Sequence, residues 1–532
     1  MSTTLLRRRH VAIVAALCAG GCSRGAPKVS DPFAYEGVGA PEWTDHRRAA
    51  EFVAMPDGVK IAVDIVLPTG YTGTGQAPSR FPVIFQYTPY GRSGIDLKTG
   101  QVAVSAAARF FLSHGYAWVS ADMRGTGGSD GWINLMDPAV RRDGKVIVDW
   151  IETQPWSDGN VGMTGGSYVG WSQLAVASMK PKALKALVPS VAAWDGFLFR
   201  PGGIYSEAFM QMWSALTHSL NRSVTFRSFP IPPTPPVVDE DGDGEILDEI
   251  PVDRDNDGWL HDDYRWPLAT GPAPRYPDNV KRARHQYLST IMQHAAHPDG
   301  APGTFDLYSS LHPMQFWDSK RPGDGLTAPD LNWAWFKDVM ESKVAVLHLA
   351  GWFDPFVEAG FQLHATLTGK LPTRLIARPS YHQGISPPHA RAIGIDSAEA
   401  ALNQSRLLNE QLRWYDRWLK GIDNGIDRAP SEFHTSRRFG PLRSVGTRNT
   451  EPLSNLTFTR PSSSFASADA SIFFVGLSVL MNSISDDLSP AAPTQAVVLM
   501  RSSHTRSRSI VTSGTKWQFR QFFRKTSRGD SS

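Results

Sequence analysis

Val161-Gly162-Met163-Thr164-Gly165-Gly166-Ser167-Tyr168-Val169-Gly170-Trp171 is the stretch that decides the fold. It reads as a short strand, a tight glycine turn and the start of a helix. In a nucleophile elbow, small flanking residues permit a strained turn that exposes a Ser hydroxyl at the carboxyl edge of a sheet, beside the free amides of a helix N-terminus. Ser167 holds that position. The spacing is G-x-S-x-x-G rather than G-x-S-x-G, so an ordinary glycine turn is the competing reading.

Outward from this turn the chain alternates short apolar runs with helix-length stretches. Residues 82–87, 116–121, 161–164 and 186–189 read as buried parallel strands, with crossover helices near 101–114, 139–153 and 168–179. Upstream, the alternating pattern from Glu51 around Pro56-Asp57-Gly58 to Leu67 signals a hairpin. The alternation stops near Ala193 and resumes at 344–349 and 374–377, with a last helix over roughly 397–420 capped by Gly421. The interval rich in Trp, Pro and Asp is too long for a connecting loop, which predicts an inserted, mostly helical cap domain.

A serine nucleophile needs a base and a group that orients it, and in this kind of fold they follow in the order Ser, acid, His. Asp354 lies after the 344–349 run and His382 after the 374–377 run, both at strand ends that meet the Ser edge. Either residue alone would read as surface polarity; three such groups at three strand ends in the right order do not. Tyr90, in Tyr87-Thr88-Pro89-Tyr90-Gly91, would add a phenol to the backbone N–H of Tyr168 as oxyanion donors, the alternative being a core Tyr at a turn.

Pro89-Tyr90, Asp122-Met123-Arg124-Gly125-Thr126-Gly127-Gly128-Ser129-Asp130-Gly131, the Ser167 turn, Gly351-Trp352-Phe353-Asp354 and Trp414 through Gly425 together resemble the CocE/NonD hydrolases. That group includes cocaine esterase, α-amino acid ester hydrolases and Xaa-Pro dipeptidyl-peptidases, and the resemblance runs from about residue 47 to 430. It implies an α/β-hydrolase fold, a Ser167–Asp354–His382 triad, an oxyanion hole of Tyr90 and the Tyr168 amide, and acyl transfer to water through an acyl-enzyme on Ser167. A Xaa-Pro dipeptidyl-peptidase and, from another class, a calcium-dependent surface binding protein with an inactive triad are the alternatives.

In the amino acid ester hydrolase branch, the resemblance implies acidic residues two and three positions after the triad acid, holding a substrate ammonium. Here those positions are Phe356 and Val357, which cannot pair with a cation. Phe356 is instead a candidate apolar wall, and Asp195, at the cap entrance, is a candidate contact for a substrate amine or a structural cap. The expected substrate is an uncharged, partly apolar ester or amide, or a short peptide.

Within the cap, Asp239-x-Asp241-x-Asp243-Gly244 and Asp253-x-Asp255-x-Asp257-Gly258 repeat fourteen residues apart, each with a further Asp nine residues after its start, Asp248 and Asp262. Alternating carboxylates before a turning Gly supply hard oxygen ligands for Ca²⁺, although the usual Glu at position twelve is Ile250 or Tyr264. A solvated acidic loop is the alternative. A structural ion is expected, since triad hydrolysis needs no cofactor.

The 532 residues carry a net charge of +3, but eight Lys/Arg against one Asp fall in 501–532 and three Arg in 7–9, which leaves the body between them acidic. That argues against nucleic acid as a partner. Residues 1–22 read as a secretory signal: Arg7-Arg8-Arg9, an apolar run too short to span a bilayer, and a lipobox-like Ala19-Gly20-Gly21-Cys22. The expected location is secreted or cell-envelope lipoprotein, with membrane contact only through a lipid on Cys22. The domain layout follows as a tether over 23–45, a hydrolase domain formed by 46–193 together with 343–430, a cap over 194–342 inserted between those two segments, and an atypical tail over 431–532. The resemblance implies a β-rich jelly-roll after the last helix, yet the Ser- and Arg-rich tail lacks its strand pattern, through divergence or a shifted reading frame near 435.

Overall fold

The computed structural model describes Tyr35 and residues 41–96, 99–131, 138–192, 194, 213, 234–240, 242, 244, 246, 249, 250, 290, 294, 335–382, 384 and 397–433. By compactness the chain divides into Met1–Ser462 and Ser463–Ser532, the second unit and the atypical tail from 434 lying outside the described residues.

Nine strands form one mixed sheet in the order β1-β2-β4-β3-β5-β6-β7-β8-β9. They are β1 (Trp43–Ala54), β2 (Lys60–Tyr71), β3 (Phe81–Thr88), β4 (Ala117–Asp122), β5 (Ser157–Gly166), β6 (Leu184–Ser190), β7 (Ala345–Gly351), β8 (Thr373–Arg378) and β9 (Glu432–Phe433). β1 and β2 are the expected hairpin, antiparallel to each other and, through β2, to β4. From β4 to β9 all pairings are parallel. The expected α/β class is therefore present, with every predicted central strand in place.

The apolar runs are continuous because the sheet is covered on both faces. On β3 the side chains alternate: Val83, Phe85 and Tyr87 join one core with helices α2 (Pro138–Thr153) and α3 (Tyr168–Ala177), whereas Ile84 joins the other with α1 (Ala106–Ser113) and α6 (Ser397–Trp418). Each such fully buried side chain contributes roughly 1.5–3 kcal/mol. The remaining described helices are α4 (Phe336–Glu341), α5 (Val357–Leu367) and a 3-10 turn over Ile426–Arg428.

The expected tether over 23–45 ends sooner than its composition suggested. β1 already begins at Trp43, whose indole packs on Tyr71 and edge-on against Phe81. Upstream, the Tyr35 hydroxyl donates to Asp416 on α6, which also accepts from Tyr116. Aromatic burial outweighs the Pro- and Gly-rich composition there. Among the described residues no helix is long and apolar enough to cross a membrane.

Candidate active site

The carboxyl ends of β3, β5, β7 and β8 carry, in turn, Tyr90, Ser167, Asp354 and His382. Parallel pairing points these ends the same way, so residues separated by nearly three hundred positions share one edge of the sheet.

Ser167 has φ 60° and ψ −125°, a strained backbone for a residue with a Cβ. The sheet enforces it: the Ser167 amide donates to the Ser190 carbonyl of β6, and the Ser167 carbonyl accepts from Gly170 and Trp171 as α3 begins. The offset glycine spacing has a steric cause. A Cβ on Gly165 would collide with Val169, and one on Gly170 would lie 2.8 Å from the Ala192 Cβ. Val169 thus fills the place of the usual second glycine, and the close approach moves one residue on. Ser167 makes no side-chain capping bond to α3, so its hydroxyl is not spent on the helix.

Asp354 is buried and splits its carboxylate between two donors. Oδ1 accepts from the Phe356 amide at 2.7 Å and Oδ2 from the His382 Nδ1 at 2.6 Å. An N–H on Nδ1 leaves Nε2 as the acceptor, the tautomer a general base requires. His382 rides at the tip of a tight turn closed by reciprocal hydrogen bonds between Tyr381 and Gly384. The loops that carry Asp354 and His382 are laced together as well, since Trp352 and Phe353 donate to the Arg378 and Ser380 carbonyls.

Phe356, expected as an apolar substrate wall, is buried with its ring edge-on to the His382 imidazole at 5.1 Å. It holds the imidazole's orientation. On the neighbouring loops, the exposed Phe353 stacks on Tyr381 at 5.3 Å.

The Tyr90 hydroxyl accepts from the Trp213 indole at 3.0 Å, and Trp213, Ser167 and the Tyr168 amide act on it in the direction that favours the ionised phenol. Burial raises the phenol above its ordinary pKa, which these hydrogen bonds only partly offset, so it stays protonated and able to donate at neutral pH. Behind it sits a buried ion cluster that sequence reasoning missed. Arg92 Nε meets Asp64 at 2.8 Å and Nη1 meets Asp122 at 2.7 Å, all three side chains out of solvent. Desolvation would raise Asp64, but Arg92 and Arg48 outweigh it and hold the carboxyl below its usual range. The Asp122–Gly131 motif is thereby explained as scaffold: Asp122 also accepts from Arg92 and Gly128 amides, and Ser129 bridges to Ala62.

The acidic cap residues fall mostly outside the described set. Of the candidate calcium ligands only Asp239 is described, its carboxylate accepting from the Gly242 and Gly244 amides at 2.7 Å each. Glu249, which no pattern singled out, folds back so that Oε1 accepts from the Glu240 amide. Asp241, Asp243, Asp248, Asp253, Asp255, Asp257, Asp262, Asp195 and Cys22 lie outside the described residues. Among the described residues no group of three or more His, Cys, Asp or Glu could hold a metal ion.

Residues 57–228 match the family model described as X-Pro dipeptidyl-peptidase (S15 family). A protein of Mycobacterium bovis named as a serine esterase is 29% identical over 423 residues, covering 73% of this chain and 59% of its own length. The cocaine esterase of a Rhodococcus species is 35% identical over 168 residues, covering 31% of this chain and 27% of its own. A CocE/NonD family hydrolase from Staphylococcus aureus superposes with a TM-score of 0.44 at 16% identity, over 73% of this chain and 53% of that one. The chain spans less than two thirds of the length of these curated relatives.

Proposed function

We propose that this chain, a relative of the S15 and CocE serine hydrolases through its α/β core, is a serine hydrolase of α/β-hydrolase fold that cleaves carboxylic esters or amides with Ser167 as nucleophile. Asp354 holds His382 through Nδ1, and Nε2 takes the Ser167 proton as Oγ attacks the carbonyl carbon. The oxyanion accepts from the Tyr90 hydroxyl and the Tyr168 amide. Collapse expels the alcohol or amine, protonated by His382, and leaves an acyl-Ser167 that water releases by the reverse proton path.

The observation that supports this reading is the 2.6 Å contact between His382 Nδ1 and the buried Asp354 carboxylate, on the same sheet edge as a strained Ser167. The apolar Phe356 and Val357 after Asp354, where a cation would need acidic partners, favour an uncharged, partly apolar acyl or aryl group. Turnover of 4-nitrophenyl butyrate that disappears in Ser167→Ala is the expected result; turnover retained in that variant would overturn it.

The family match gives a second reading, release of X-Pro dipeptides. It needs a site for the substrate's amine, and the positions after Asp354 supply none, since Phe356 is packed on His382 and Val357 opens α5. Cleavage of an X-Pro 4-nitroanilide faster than the ester would establish it. A folded protein inactive on both would support the surface binding reading instead.

Two further expectations complete the proposal. Asp239 already turns its carboxylate into a loop where Gly242 and Gly244 have φ of 75° and 88°, which supports a calcium-type turn, with Ca²⁺ structural and outside the chemistry. Chelation with EGTA is expected to lower the melting temperature while leaving the chemistry metal-independent. A lipid on Cys22 would tether the enzyme at the cell envelope, as mass spectrometry of the mature N-terminus would reveal.

A further inference from the structure

We propose that Trp213, from the inserted segment, is a positioning residue of the oxyanion hole: its indole N–H fixes the Tyr90 hydroxyl as an acceptor and directs the phenolic proton toward the reacting oxygen. The inference rests on the hydrolase reading. An indole Nε1 donates and cannot accept, so the 3.0 Å contact has only one sense. Tyr90 has one proton of its own, and with Trp213 on its lone pair that proton is left for the Ser167 side and, in the transition state, for the oxyanion. Without the indole, the phenol could spend its proton elsewhere and would be the poorer donor.

The indole is itself held in place. It stacks on the Tyr168 ring at 5.8 Å and 20°, so it bridges the two residues that supply the oxyanion donors. The turn that carries Tyr90 is gripped by the same inserted segment at its next two residues. The Thr234 Oγ1 sits 2.9 Å from where a Cβ on Gly91 would be, at φ 91°. Arg92, anchored by Asp64 and Asp122, donates through Nη2 to the Pro235 carbonyl at 2.5 Å. Three consecutive residues of the β3 loop, Tyr90, Gly91 and Arg92, therefore meet Trp213, Thr234 and Pro235.

The test removes the N–H and keeps the ring. Trp213→Phe and, as an isosteric control for folding, 3-benzothienylalanine at position 213 are compared with wild type on 4-nitrophenyl butyrate, each also in a Tyr90→Phe background. Loss of one neutral hydrogen bond predicts a kcat about tenfold lower with KM within about twofold. In the Tyr90→Phe background the same changes are expected to cost nothing further, because the hydroxyl they act through is gone. Unchanged kcat in the benzothienylalanine protein, or an equal loss in both backgrounds, would overturn the inference. Labelling of wild type by a fluorophosphonate separates the two levels: no adduct sinks the hydrolase reading and this inference with it, whereas an adduct with unaltered variants sinks the inference alone.

Discussion

The Ser167 turn and the Tyr90 turn stand at the ends of neighbouring strands, yet they are held in opposite ways. Ser167 is fixed from within by the β6 carbonyl it donates to and by the clearances at Gly165 and Gly170. Tyr90 is fixed from without, by Trp213 and by an arginine whose partners lie 28 to 144 residues away in sequence. One turn is local strain imposed by backbone pairing; the other is a non-local polar assembly. The difference lies in what holds each turn: backbone pairing with β6 at Ser167, and side-chain contacts with Trp213 and Arg92 at Tyr90.

The sharpest way to break the comparison is Arg92→Met. It leaves Asp64 and Asp122 buried without their shared cation, which predicts a loss of about 3–5 kcal/mol in stability, read by urea denaturation. A loss below about 1 kcal/mol, the range of an exposed ion pair, would show that the Tyr90 turn does not depend on this cluster. Next, Tyr90→Phe keeps the ring and removes the donor, with an expected fall in kcat of about 10²–10³ and unchanged melting temperature. A fall in stability of similar size would instead make Tyr90 a packing residue.

A graded probe is the buried histidine pair beside β8. His348 on β7 and His364 on α5 are 5.6 Å apart, and burial pushes both pKa values down, His348 well below its ordinary value and His364 to about 4. Both are therefore neutral in the fold while the unfolded chain binds protons near pH 6.5. The unfolded state thus gains protons first, so stability is full above about pH 6.5 and falls as pH drops toward 4, by roughly 3 kcal/mol for His364 alone. His364→Gln is expected to flatten the dependence of melting temperature on pH over that window; an unchanged slope would assign it elsewhere. The smallest effect is expected from Gly170→Val, whose Cβ would press on Ala192. Overpacking of this kind costs about 1–3 kcal/mol, with activity falling because Ser167 shifts.

The same contrast explains what could be read from the residues. Periodicity located every central strand, and the turns that carry Ser167, Asp354 and His382 were legible at strand ends because each follows a strand with its signal within a few residues. Helix α5 was missed: Phe356 makes no side-chain cap bond and Gly360 interrupts the run, although Ala359, Leu363 and Leu367 do recur every fourth residue. Arg92 and Trp213 gave no local sign, since an arginine in a turn and a lone tryptophan become informative only when long-range pairing brings Asp64, Asp122 and Tyr90 to them. Trp43 hid in a segment whose composition suggested a tether.

The central claim is that Ser167 is an activated nucleophile. Its most direct test is fluorophosphonate labelling of the purified protein read by intact mass, with Ser167→Ala and His382→Ala as controls. The account predicts one adduct on wild type, none on Ser167→Ala and slow labelling of His382→Ala. No adduct on folded wild type, or an adduct that persists in Ser167→Ala, would contradict it.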